Sequence, residues 1–193
     1  MVDIRELDFI CKVTRVYRKN IDLLIKLSDD HRVKSLDMLL NPQLVAESDF
    51  SEASFSVFDS HRVSFSLYAL AIVHCYSLVE NNRKKICLRL PGLSPEQAKD
   101  LSYIKKLNKI LKLYKIDPKK ISNYAVMEDF RLLNNAIKHD RYNLSTKVTT
   151  DQGITYDAMA IKKLYVENAQ YLEEYLVDLY KKVTDITQGL SNK

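Results

Sequence analysis

The residues best suited to chemistry lie between positions 128 and 139, in a segment with helical periodicity. Arginine can bind a phosphate through two parallel hydrogen bonds, asparagine can orient a hydroxyl group, and histidine can transfer a proton near neutral pH. These roles suffice for metal-independent cleavage of RNA, in which a 2′-hydroxyl attacks the adjacent phosphate. At about 100° per residue, five such polar side chains share one arc of a helix: Glu128, Arg131, Asn135, Lys138 and His139.

The same polar arc also has a purely structural interpretation. Lys138 and His139 would lie in the last helical turn, where positive charge complements the helix dipole and the free carbonyl groups. Asn134 and Asn135 would then mark the start of helix unwinding. Polar arcs are also common on ordinary solvated helices. The residues alone leave both interpretations open.

Positive charge is concentrated between positions 83 and 120. This segment holds twelve lysines and arginines against three acidic residues, whereas the whole chain has a formal charge of +5. The asymmetry predicts a polyanionic partner, and a solvated lysine-rich helix face is the alternative. The twelve tyrosines are interpreted mostly as core or interface residues. The residues predicted to bind RNA are Arg83, Lys84, Lys85, Lys105, Lys109 and Lys112.

The elements that position these residues are predicted to be long helices. Three glycines and four prolines in 193 residues leave few interruptions, so the fold class predicted is all-α, an up-and-down bundle of four to five helices. On the second helix, Leu70 and His74 are predicted to face inward. The predicted helices cover about Ile4–Leu27, Asp59–Leu88, Pro95–Ile116, the segment ending at His139, and Ala158–Thr187.

Local signals set the boundaries between these helices. Ser94, Pro95 and Gln97 match a capping box with proline at the first helical position, and Asp117-Pro118 repeats the cap-plus-proline pattern. Residues 29–59 lose periodicity and are predicted to form a loop-rich excursion with a short helix near 34–40. Residues 147–156 predict a small hairpin insertion before the last helix. The chain is predicted to be a single domain, residues 1–193.

Most enzyme classes lack their motifs in this chain. Three glycines cannot supply a phosphate-binding loop, and HExxH, CxxC and GxSxG are all missing, so neither a metal nor an organic cofactor is predicted. Cys11, Cys75 and Cys87 are expected to be buried and reduced. The start of the chain lacks the pattern of a signal peptide, and the longest apolar run, residues 65–79, is too short to span a bilayer. These features predict a cytoplasmic protein.

The string Arg131-Leu-Leu-Asn-Asn-Ala-Ile-Lys-His139 resembles the signature of the HEPN superfamily (higher eukaryotes and prokaryotes nucleotide-binding domains). The preceding helix, which carries His74, Glu80 and Arg83 ahead of a basic stretch, also resembles this superfamily. Members are small helical bundles, usually dimeric, and many are RNases of toxin–antitoxin, anti-phage or CRISPR-associated systems. The resemblance implies that Arg131 holds phosphate, His139 is the acid–base and Asn135 orients, supported by Glu80, Glu128, Asn134, Lys138 and Tyr142.

The spacing within this string differs from the family pattern. Seven residues separate Arg131 from His139, against four to six in the family, and the commonest form would place the arginine at position 134, which is asparagine here. Either Arg131 reaches the site from one turn back, or the chain is a non-cleaving member.

The favoured expectation is a metal-independent endoribonuclease or toxin-type effector of a prokaryotic defence or toxin–antitoxin system. It would act on RNA as a homodimer, with an antitoxin or effector-complex protein as a further partner and no membrane. The alternative is a catalytically inactive HEPN-like module that binds a protein or nucleic acid in a larger assembly. A third interpretation is a plain helical interaction protein whose acidic and basic parts pair between subunits.

Overall fold

The computed structural model describes residues 15–16, 18–27, 29–30, 33–34, 47–139 and 147–191. These residues are mostly helical, which confirms the all-α prediction. The described residues before position 35 are all helical. A 3-10 helix, Pro118–Lys120, precedes α4, and two short strands precede α5. The bounds are α1 Glu47–Cys87, α2 Pro95–Asp100, α3 Ile104–Leu113, α4 Tyr124–His139, β1 Lys147–Thr149, β2 Thr155–Asp157, α5 Ala158–Asn168 and α6 Tyr171–Ser191.

The described part of the chain divides into two compact units. Unit 1 contains residues 15, 74–131 and 167–191, and unit 2 contains the described residues of 16–73 and 132–166. Helices α1 and α4 therefore contribute residues to both units. The single domain expected from the sequence stays a prediction. No helix among the described residues combines the length and apolar character needed to cross a membrane.

Helix α1 begins at Glu47, well before the predicted start at Asp59. The sequence contains neither proline nor glycine between Pro42 and Pro91, so nothing interrupts a helix there once it has started. The mixed serine and phenylalanine content of residues 48–60 therefore gave the wrong prediction of a loop for residues 47–58. Residues 35–46, with most of the predicted short helix, lie outside the described residues.

The end of α1 and the start of α2 confirm the boundary signals. Helix α1 ends at Cys87, one residue before the predicted end. In the turn that follows, Gly92 adopts a φ of 72°, which glycine tolerates without steric cost. The Ser94 hydroxyl accepts a hydrogen bond from the Gln97 backbone N–H at 3.1 Å, and the Gln97 side chain accepts one from the Ser94 N–H at 2.9 Å. This is the reciprocal capping box that the sequence predicted.

Two long helices predicted from periodicity are each interrupted by a short turn. The predicted helix 95–116 is divided into α2 and α3, and the predicted helix 158–187 is divided into α5 and α6. At the first break Leu101 is fully buried, and Tyr103 adopts an extended conformation with φ −105° and ψ 116°. Neither break contains proline or glycine, so the apolar pattern continues through both and conceals them.

The inward face of α1 is displaced from the predicted one by about one residue. Leu70 is 49% exposed and His74 is exposed, whereas Ile72 and Tyr76 are buried. The helix thus buries tyrosine rings in place of the predicted leucine and histidine. In unit 1 the buried apolar side chains include Val79, Ile86, Leu101, Leu107, Leu111, Met127, Phe130, Leu172, Leu176, Leu179 and Val183.

Unit 2 contains the predicted hairpin. Strands β1 and β2 pair antiparallel, with Val148 opposite Tyr156, and Gly153 takes a φ of 78° in the turn. Val148 is buried. In the same unit the Tyr165 hydroxyl donates to Asp22 at 2.9 Å, and its ring centroid lies 6.1 Å from that of Tyr68. The hairpin prediction for residues 147–156 is confirmed where the residues are described.

Candidate nucleic-acid interface

The guanidinium of Arg131 is held by a carboxylate of its own helix. Its Nε lies 2.9 Å from one oxygen of Glu128, and its Nη2 lies 2.6 Å from the other. The Arg131 side chain is only 18% exposed. Hydrogen bonding to Glu128 raises the pKa of Arg131 and keeps it charged, despite partial burial. One of the two forked edges that bind a phosphate, formed by Nε and Nη2, is therefore occupied by Glu128.

The two asparagines of the predicted site form a separate pair. Asn134 is 2% exposed, and its Nδ2 donates to Asn135 Oδ1 at 3.2 Å. The Asn134 Oδ1 atom is buried and has no hydrogen-bond partner. Position 134, where the commonest family signature has arginine, is thus an interior position of unit 2. Asn135 remains partly exposed.

His139 is the exposed last residue of α4, and Lys138 before it is half-buried. Both lie in the terminal turn, where positive charge complements the helix dipole. His139 lies eight positions after Arg131, which corresponds to about 12 Å of helical rise. The described contacts pair Arg131 with Glu128 and Asn134 with Asn135, and they do not join His139 to either pair. The catalytic roles of Arg131, Asn135 and His139 stay predictions.

Glu80 and Tyr142 are the remaining residues that were predicted to support the site. Glu80, on α1, is half-buried, but the carboxylate that holds Arg131 is that of Glu128. Tyr142 lies outside the described residues.

Arg83 is the main correction to the predicted RNA-binding set, because its side chain is completely buried. Its Nη1 lies 3.6 Å from the sulfur of Met127, while Nε and Nη2 have no hydrogen-bond acceptor. Burial opposes its charge, but the nearby phenols of Tyr175 and Tyr76 favour it, and the net effect raises the pKa of Arg83. A side chain enclosed in this way cannot contact RNA at the surface.

The groups around Arg83 are neutral at physiological pH. Burial raises the pKa of Cys87 to about 12, against a smaller opposing effect of Arg83. Burial likewise raises the pKa of Tyr175 and of Tyr76, although Arg83 opposes the shift in both. Among the described residues no carboxylate forms a salt bridge with Arg83. The interior of unit 1 therefore contains one positive charge without an anionic partner.

Helix α3 presents the opposite arrangement at its surface. Leu107, Ile110 and Leu111 are buried on one side of the helix and fix its rotation. The lysine face, defined as Lys105, Lys109 and Lys112, is exposed on the other side, within one arc of about 60°. The sequence predicted both sides correctly.

The lysine face forms no salt bridge with an acidic residue in the described part of the chain. Asp100 is paired with Lys106, whose Nζ lies 2.6 Å away. Asp117 accepts a hydrogen bond from the Lys119 backbone N–H at 3.1 Å and caps the 3-10 helix. None of the described salt bridges involves the three lysines of the face. Their positive charges are therefore available to an external anion.

Further basic residues lie at the ends of neighbouring elements. Lys85 is exposed and Lys84 is half-buried, both in the last turn of α1. Lys115, Lys119 and Lys120 are exposed between α3 and α4. The sequence counted these last three in the basic segment but did not assign them to binding.

Comparisons of the chain with protein-family models, with curated proteins and with solved structures gave no match. Among the described residues, no group of three or more histidine, cysteine, aspartate or glutamate side chains is placed to hold a metal ion. The geometry of the side chains is thus the basis for assigning a function.

Proposed function

We propose that this protein is an RNA-binding helical module of the HEPN type, acting as a homodimer, and that the lysine face of α3 binds the RNA backbone. The observation that carries this proposal is the set of three exposed lysines on one arc without a carboxylate partner. A nucleic acid that binds such a surface releases its condensed counterions, which favours association without any need for base-specific contacts.

The dimensions of the face fit contact with consecutive phosphates. Lys105, Lys109 and Lys112 are separated by four and three residues, which gives about 6 and 4.5 Å of helical rise. The buried leucines and isoleucine on the opposite side hold the helix in one orientation, so the backbone positions from which the three lysines extend are fixed relative to one another. A helix that is merely solvated would not need its lysines to be free of acidic neighbours, because mixed charges also keep a surface soluble.

Charge reversal of the face tests the proposal. The variant K105E/K109E/K112E is expected to lose RNA affinity by at least about tenfold in fluorescence anisotropy at constant salt. The matched control is K26E/K163E/K181E, which changes three other exposed lysines and the same net charge. Equal affinity loss in the two variants would show that net charge, not this face, determines binding, and would contradict the proposal.

RNA cleavage is a second candidate function, and the exposure of His139 on the same helix as Arg131 favours it. In the proposed reaction the 2′-oxygen forms a bond to phosphorus and the bond from phosphorus to the 5′-oxygen breaks. His139 would transfer protons, and Asn135 would orient the attacking hydroxyl. Because Glu128 occupies the Nε–Nη2 edge of Arg131, RNA phosphate would bind the Nη1 side of the guanidinium or displace that carboxylate before Arg131 stabilises the developing charge.

Two substitutions separate cleavage from binding alone. RNA cleavage measured in the presence of EDTA should be lost in the His139→Ala variant, while its RNA affinity should stay within about threefold of that of the unmodified protein. Glu128→Gln weakens the hold on Arg131 and should increase cleavage, since the guanidinium becomes free for phosphate. If the protein cleaves no RNA, or if His139→Ala cleaves as fast as the unmodified protein, the nuclease candidate is excluded and the binding module stands.

A further inference from the structure

Tyr103 is an exposed aromatic residue at the start of the helix that carries the lysine face. It is 62% exposed, whereas Tyr76, Tyr175 and Tyr180 in the same unit are at most 3% exposed. Its backbone is fixed from both sides: its N–H donates to the Asp100 carbonyl at 3.0 Å, and its carbonyl accepts from the Leu107 N–H at 2.8 Å. The ring is therefore presented to solvent from an anchored position.

A neighbouring lysine contacts the Tyr103 ring. The Nζ of Lys106 lies 5.3 Å from the ring centroid, within the range of a cation–π contact. The same ammonium group is paired with Asp100 at 2.6 Å. Lys106 thus differs from the three lysines of the face, because its charge is already paired with that of Asp100. Its contact restricts the ring without supplying a free charge to a ligand.

We propose that Tyr103 stacks on an unpaired base, so that the lysine face selects single-stranded over double-stranded RNA. This inference rests on the RNA-binding function proposed above. A base offers its π-face to a side chain only when it is unpaired or splayed out, and sequence-tolerant binding of single strands combines a basic surface with such aromatic platforms. Tyr103 lies at the N-terminal end of α3, outside the arc of the lysine face, and Lys112 is nine residues further on, about 14 Å of helical rise. A strand that stacks on the ring therefore crosses the end of the helix to reach the ammonium groups.

A single introduced fluorophore tests the stacking directly. The chain contains no tryptophan, so Tyr103→Trp makes residue 103 the only indole in the protein. Its fluorescence is expected to be quenched by a single-stranded RNA of about twelve nucleotides and not by a duplex of the same sequence. The control is Met159→Trp, since Met159 is 80% exposed on α5, and neither RNA should change its emission. Equal quenching at both positions would overturn the proposal.

Affinity measurements complete the test. Tyr103→Ala should weaken single-strand binding by about tenfold and leave duplex binding unchanged, while Tyr103→Phe, which keeps the ring, should bind like the unmodified protein. Unchanged single-strand affinity in Tyr103→Ala, alongside a loss in K105E/K109E/K112E, overturns the stacking inference and leaves the proposed function intact. If the unmodified protein binds no RNA of either kind, both proposals fail.

Discussion

Arg83 and the lysine face belong to the same basic segment of the sequence but have opposite environments. Arg83 is enclosed by Tyr76, Tyr175, Cys87 and Met127, without a carboxylate, and the two phenols favour its charge. The lysines of α3 are exposed, also without a carboxylate. A cation in the interior depends on the neutral groups that enclose it, whereas a cation at the surface without a salt-bridge partner is available for binding. Charge counted along the sequence therefore combines two unrelated roles.

Substitutions of Arg83 are expected to change the free energy of unfolding more than substitutions of the exposed basic residues. Arg83→Met keeps most of the volume but removes the charge that the phenols of Tyr175 and Tyr76 favour, so its free energy of unfolding should fall by about 1 kcal/mol. Arg83→Ala leaves a cavity and should be less stable than Arg83→Met by about 3 kcal/mol. Urea unfolding followed by circular dichroism measures both.

The exposed neighbour on α1 supplies the control for these stabilities. Lys85→Met should change the free energy of unfolding by less than about 0.5 kcal/mol, because Lys85 is exposed. If Arg83→Met is as stable as the unmodified protein or more stable, burial penalises the guanidinium more than the phenols of Tyr76 and Tyr175 stabilise it. The interior charge would then be a cost to folding, contrary to the direction of the pKa shift of Arg83.

The thiol of Cys87, beside Arg83, should be protected from alkylation in the native protein. A pKa of about 12 leaves Cys87 almost entirely protonated at pH 8, and the side chain is 0% exposed. Alkylation by iodoacetamide at pH 8 should therefore be at least about a hundredfold slower in the native protein than in urea. Peptide mass spectrometry resolves Cys87 from the other cysteines. Labelling of native Cys87 at the unfolded rate would show that the region around Arg83 opens to solvent, and Arg83 would again be a candidate for ligand contact.

Periodicity and capping chemistry predicted several elements from the sequence. The Ser94 capping box, the end of α4 at His139 and the hairpin around Gly153 all depend on residues close in sequence, whose interactions are local. The start of α1 and the breaks after Asp100 and Asn168 were not predicted. No proline or glycine marks them, and the apolar pattern does not change across them.

The candidate site was predictable only in part, for a related physical reason. Consecutive helical residues point about 100° apart, so Arg83 is buried while Lys85 is exposed although both are basic. Which of them faces inward depends on the rotation of α1 against the rest of unit 1. The pattern of residue types along α1 does not reveal that rotation. For α3 the contrast between buried Leu107 and exposed lysines is strong enough to set the rotation from the sequence alone. The exposure of Tyr103 follows from the break before α3, which no pattern revealed.

The salt dependence of RNA binding measures how many phosphates the lysine face contacts. The slope of the logarithm of affinity against the logarithm of salt concentration reports the number of phosphates contacted, about 0.7 per contact for single strands. Replacement of the lysine face by glutamine, in K105Q/K109Q/K112Q, should reduce the magnitude of this slope by about 2. The same replacement in K26Q/K163Q/K181Q should leave the slope unchanged. An unchanged slope in K105Q/K109Q/K112Q would contradict the assignment of the lysine face as the RNA contact.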